Sequence, residues 1–65
     1  PATEYEHGDY VVVNKEGQKR TSLKQILIDD GQVYLRPLNK DFQTQLMDNS
    51  YKVIGVVTQI RMDTR

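Results

Sequence analysis

Apolar residues along this chain fall in short runs separated by polar clusters, and the runs read as strands. Tyr10-Val11-Val12-Val13 is β-branched and aromatic, starts directly after Gly8-Asp9, and gives way to the polar turn Asn14-Lys15-Glu16-Gly17. This predicts a strand and the start of a hairpin. From Lys19 to Ile28 the alternation is partial: Thr21, Leu23 and Leu27 lie on one parity, and Ser22, Lys24, Ile26 and Ile28 on the other. Lys24 therefore shares a strand face with Ile26 and Ile28. Asp29-Asp30-Gly31 supplies a residue that tolerates positive φ at a tight turn, after which Val33 and Leu35, with Tyr34 on the opposite face, form a return strand. Pro37 ends that strand or confines it to an edge, because proline cannot donate to a ladder. Asn39 to Ser50 is polar, with Phe42, Leu46 and Met47 as scattered anchors, and reads as a loop. Tyr51 to Ile60 is β-rich again, its interior Gly55 signalling a bulge or a close backbone approach, and Arg61 to Arg65 is a polar tail. A short helix over Ser22 to Leu27 is the main alternative. The expected fold class is mostly β, built from short antiparallel hairpins.

Length and composition bound the rest. The 65 residues allow one domain at most, and a chain of this size buries only roughly 60% of the surface its unfolded form exposes. There are no cysteines, so neither a disulfide framework nor a thiolate metal site reinforces the core; the usage fits a reducing compartment. Nine basic and nine acidic residues balance, which argues against binding driven mainly by phosphate contacts. The longest apolar stretch, Val53 to Val57, is far too short to span a bilayer, and the first residues lack the basic and apolar regions of a signal peptide. A cytoplasmic protein with no membrane partner is expected. The chain starts without methionine, which suggests a processed product or a piece of a longer polypeptide.

Lys24 poses the chemical question. A lysine with a pKa near ~10.4 is almost entirely ammonium at neutral pH and cannot accept a proton. Desolvation among apolar side chains favours the neutral amine, and a shift of ~3 units corresponds to roughly 4 kcal/mol of unfavourable charge burial. The functional reading is a Ser-Lys dyad in which the amine takes a proton from a serine hydroxyl; the plain one is a sheet lysine that snorkels to water. Spacing alone favours the plain reading.

The order of motifs adds to this. Gly8-Asp9-Tyr10-Val11-Val12-Val13, then Thr21-Ser22-Leu23-Lys24-Gln25, then Gly31-Gln32-Val33-Tyr34-Leu35-Arg36-Pro37-Leu38-Asn39, then Val53-Ile54-Gly55-Val56-Val57 resembles the C-terminal half of the LexA-like peptidase domain of SOS and phage repressors, an S24-type serine peptidase fold. The resemblance covers nearly the whole chain and lies closest to the phage repressors, because Pro1 to His7 is similar to the segment they carry before Gly-Asp. It implies a partial self-cleaving domain over residues 1–65 with a LexA or signal-peptidase-like β fold, in which Lys24 is the general base.

Two departures qualify that expectation. The family's nucleophile is a serine, usually followed by methionine, upstream of the Gly-Asp pair, and Pro1 to His7 contains none. The resemblance thus places the serine, the cleavage site and a helix-turn-helix operator-binding domain before Pro1, and leaves these residues inert by themselves. Asn39-Lys40-Asp41-Phe42 also differs from the usual Asn-Pro-x-Tyr. The resemblance further implies a homodimer, assisted by the last strand, Tyr51 to Arg61, and stimulation of cleavage by a recombinase filament. No cofactor or metal is implied.

Other candidates are poorer. Ser22 and Lys24 would share a strand face, yet i and i+2 lie ~6.5 Å apart along a strand, and such a serine lacks independent positioning. His7, beside Glu6 and Asp9, would need carboxylates from elsewhere to hold a metal. Asp29 and Asp30 are explained by their turn. Tyr10, Tyr34 and Tyr51 offer either a base-stacking platform or ordinary cross-strand packing. The competing classes are a small SH3-like or OB-type β-barrel binding module and a structural oligomerisation piece.

Overall fold

A computed structural model describes residues 4–57. Five strands form one antiparallel sheet: β1 (Tyr10–Lys15), β2 (Thr21–Asp29), β3 (Gln32–Pro37), β4 (Gln45–Leu46) and β5 (Tyr51–Val57), in the order β4-β3-β2-β1-β5. The expected mostly-β class holds, and the stretch Ser22 to Leu27 is strand, not helix. Thr58 to Ile60 and the tail Arg61 to Arg65 lie outside the described residues, as do Pro1 to Thr3.

The β2–β3 turn follows directly from its residues. Asp29 pairs with Gln32, leaving Asp30 (φ 54°) and Gly31 (φ 78°) as a two-residue loop with positive φ at both positions, the type I′ geometry that matches strand twist and favours Asp-Gly. The β1–β2 connection is looser. It turns at Gly17 (φ 87°) and is held by Asn14, whose Nδ2 donates to the carbonyls of Gln18 (3.2 Å) and Arg20 (3.3 Å). Asn14 and Lys15, expected in a turn, instead extend β1, because β5 provides ladder partners on their other side.

Register sorts the side chains between two faces. Val11 lies opposite Lys24 and Val56, Val13 opposite Ser22 and Val53, and Ile26 opposite Leu35. Val11, Val13, Ile26 and Leu35 are the fully buried core, with Tyr5, Val33, Met47, Tyr51, Val53 and Val56 packed against it. Burial of each core side chain contributes about 1.5–3 kcal/mol. Val53 and Val56 reach the same face although three residues apart, because the β1–β5 register shifts between Val12 and Val13 and leaves Ile54 without an opposite residue. The bulge suggested by Gly55 is present at its neighbour Ile54. A close backbone approach at Gly55 is absent, since an added Cβ there would meet nothing within 4 Å.

The sheet is curled. Four strand spacings separate β4 from β5, ~19 Å if flat, whereas the link from Leu46 to Tyr51 spans at most ~18 Å fully extended and also contains a turn. Residues 47–50 cross the apolar face: Met47 N donates to Val33 O (2.9 Å) at one side, and Glu16 N donates to Ser50 O (2.7 Å) at the other. The stretch Asn39 to Ser50, expected to be loop throughout, thus contains β4, which completes the β3 edge through Tyr34 and Leu35. Two residues are too short a strand to show in sequence periodicity. Among the described residues, no helix is long and apolar enough to cross a membrane.

Candidate functional site

Lys24 sits where the core gives way to open surface. On its own strand, one same-face neighbour is Ile26, fully buried, and the other is Ser22, exposed; across the ladders it faces Val11 on β1 and Pro37 on β3. Lys24 itself is half-buried. Its stem therefore packs among apolar side chains and its amine reaches the margin of the core, as long amphipathic side chains do.

Lys24 lines two openings. A cavity of ≈ 110 Å³ is walled by Lys24, Leu35, Pro37, Phe42, Gln43, Gln45 and Tyr51. The lining of a wider one of ≈ 360 Å³ includes Lys24, Ser22, Arg20, Lys15 and Tyr51. Tyr51, like Lys24, lines both, and it has two partners. Its hydroxyl donates to Gln45 Oε1 (2.8 Å), joining β5 to β4 across the curl, and Lys15 Nζ lies 5.3 Å from its ring centroid in cation–π range. The turn that delivers Tyr51 is held by Asp48, which accepts from the Ser50 hydroxyl and from Ser50 N (2.8 Å). These Ser50 hydrogen bonds, aided by the Lys15 charge, hold the Asp48 carboxyl below its ordinary value of 3.8.

The arrangement leaves Lys24 beside unfilled space at the margin of the apolar core. Chemically its amine can donate hydrogen bonds to a group entering either cavity. Of the residues that shape the site, Gln45 was not singled out by sequence reasoning, and Phe42 was read only as a scattered loop anchor. Tyr51 was visible only as one aromatic among several, and Gln45 and Phe42 lay in a stretch without periodicity.

The remaining candidates resolve separately. Ser22 is brought to the same face as Lys24, opposite Val13, but it is an exposed strand residue. His7 Nδ1 accepts a hydrogen bond from Ile28 N (2.8 Å), within a turn closed by Asp9 N to Glu6 O (3.0 Å) and Glu6 N to Asp9 Oδ2 (2.9 Å). His7 thus caps the end of β2. Among the described residues, no group of three or more His, Cys, Asp or Glu could hold a metal ion. Asp29 closes β2 and Asp30 forms the I′ turn. Tyr10 and Tyr34 lie on the outer face, paired with Gln25 and Leu27, while Tyr51 faces the core, so the three do not share one stacking surface.

Comparison with known proteins agrees with this organisation. The sequence matches the family described as Peptidase S24-like over residues 1–58. It is 35% identical over 63 residues to the HTH-type transcriptional regulator for conjugative element SXT of Vibrio cholerae and to that for element R391 of Providencia rettgeri. It is 31% identical over 62 residues to Repressor protein C2 of Salmonella phage P22. These matches cover 97%, 97% and 95% of this chain and 29% of each relative's length. With a match across nearly every residue, the five-stranded sheet and its central lysine are not those of an unrelated small barrel: the chain belongs to the Peptidase S24-like family.

Proposed function

We propose that this domain is the regulatory part of a phage-type or mobile-element transcriptional repressor, which cleaves its own polypeptide with a Ser-Lys dyad and thereby ends repression. The observation that carries the reading is the seat of Lys24: half-buried, between Val11 and Pro37, beside two cavities on the core face. In this reading a serine upstream of Pro1 enters the space next to the amine. The neutral Lys24 amine accepts the hydroxyl proton as the serine oxygen attacks the carbonyl of the scissile peptide. The ammonium then returns that proton to the departing amine nitrogen, leaving an acyl-serine that water hydrolyses.

Cleavage separates an operator-binding domain from this one, which holds two repressor copies together as a homodimer. The edge position of β5 supports that pairing, since among the described residues β5 has a ladder partner only in β1. A recombinase filament on single-stranded DNA is the proposed stimulator. Operator DNA is contacted only by the upstream domain.

The test uses the full-length repressor. On DNA damage the wild-type protein should split and lose operator affinity in a gel-shift assay, while Lys24→Ala stays whole and bound. Operator release by a wild-type protein that remains intact, or splitting of Lys24→Ala at the wild-type rate, would overturn the reading.

A further inference from the structure

A third concavity, ≈ 360 Å³, opens on the outer face at the end of β3, within the roughly 300–1,000 Å³ range of pockets that hold short organic segments. Its lining includes Tyr10, Gln25, Arg36, Leu38, Lys40 and Phe42, with two cations and no carboxylate. Phe42 and Leu38 are 66% and 51% exposed. Arg36 is held in place: its Nη2 donates to Gln25 Oε1 (2.6 Å), and Gln25 Nε2 donates to Gly8 O (3.1 Å). This relay runs from β3 across β2 to the turn before β1, and it orients the guanidinium without neutralising it.

An oriented guanidinium beside exposed aromatic and aliphatic surface matches a carboxylate carried next to an apolar side chain. Moreover, Pro37 and Phe42 line both this groove and the ≈ 110 Å³ cavity beside Lys24. The Phe42 ring is one wall shared by two spaces on opposite faces. The turn that carries it is set by Asn39, whose carbonyl accepts from Phe42 N (3.1 Å) and whose Oδ1 accepts from Asp41 N (2.9 Å).

We propose that this groove docks an extended acidic segment of a partner protein, a carboxylate on Arg36 and Lys40 and its apolar neighbour on Phe42 and Leu38, and that its occupancy repositions the wall of the Lys24 cavity. The docking stands on the groove alone. Its consequence for self-cleavage rests on the role proposed above for Lys24.

Two probe peptides test it on the 65-residue chain: acetyl-Asp-Leu-Glu-Phe-amide and its charge-reversed counterpart, acetyl-Lys-Leu-Lys-Phe-amide. In a ¹⁵N NMR titration the acidic peptide shifts the signals of Gln25, Arg36 and Phe42 saturably and binds about tenfold or more tighter than the basic one, the worth of one charge-assisted contact. Arg36→Gln removes that preference in a chain that retains the wild-type spectrum elsewhere. Saturating acidic peptide also changes the rate at which an N-hydroxysuccinimide ester acylates Lys24, read by mass spectrometry, and Phe42→Ala abolishes the change. Equal affinity for the two peptides, or no saturable binding, overturns the docking site. Unaltered Lys24 acylation at saturation overturns the shared wall. Neither readout needs self-cleavage, so a failed dyad leaves both results interpretable.

Discussion

Val11 and Lys24 stand directly opposite each other across β1 and β2, the first fully buried and the second half-buried. The boundary of the hydrophobic core therefore runs through one cross-strand pair. Lys24→Met keeps an unbranched stem against Val11 and removes the amine, so its unfolding free energy in urea should stay within about 1 kcal/mol of wild type or exceed it. A loss of several kcal/mol would show that the ammonium supports the fold.

Ile26 and Ile28 occupy the same face of β2, but only Ile26 is sealed: it is 0% exposed, against 37% for Ile28. Ile26→Ala should cost about 2–5 kcal/mol through lost transfer energy and an unfilled cavity. That is comparable with the whole margin of a chain this size, about 3–10 kcal/mol. Circular dichroism should find Ile26→Ala largely unfolded at room temperature and Ile28→Ala folded; equal losses would contradict the burial assignment.

Gly31 and Gly55 separate backbone conformation from packing. Neither position would crowd an added Cβ, yet Gly31 has φ 78° while Gly55 is ordinary bulged strand. Gly31→Ala should destabilise by about 1–2 kcal/mol from left-handed strain alone, and Gly55→Ala should change stability by less than about 0.5 kcal/mol. Thermal melts of the two variants decide this, and the reverse order would refute the turn assignment.

Asp48 gives the fold an acid-side pH dependence. Its folded-state pKa lies below the ordinary 3.8, so its stabilising effect is fully present above 3.8 and is lost as pH falls through the depressed folded value. Melting temperature followed from pH 5 downward should fall more for wild type than for Asp48→Asn. Parallel curves would mean that the Ser50 hydrogen bonds do not distinguish the two protonation states.

Much of the sheet was legible because its signals are local. Alternation placed Lys24 with Ile26 and Ile28, Asp30-Gly31 named the hairpin turn, and Gly55 marked the bulge. What escaped was non-local. Lys15 became strand because β5 pairs with it, and Gln45-Leu46 became strand because Tyr34 and Leu35 had an open edge. Tyr51 gained its place by reaching Gln45 across the curl. The position of Lys24 was readable from spacing, whereas the cavities beside it arise from residues far apart in sequence, so its candidate role emerged from the order of motifs rather than from any pattern around the lysine.

The central claim is that Lys24 acts as a base toward a serine upstream of this domain. Its most direct test is the first-order rate of self-cleavage of the purified full-length protein at alkaline pH, without any stimulating partner, for wild type, Lys24→Ala and Tyr51→Phe. A general base supplies about 10²–10⁴-fold, so Lys24→Ala should lose at least that factor while keeping its fold, and Tyr51→Phe, which removes only the bond to Gln45, should still cleave. A Lys24→Ala protein that cleaves within a few-fold of wild type would contradict the account.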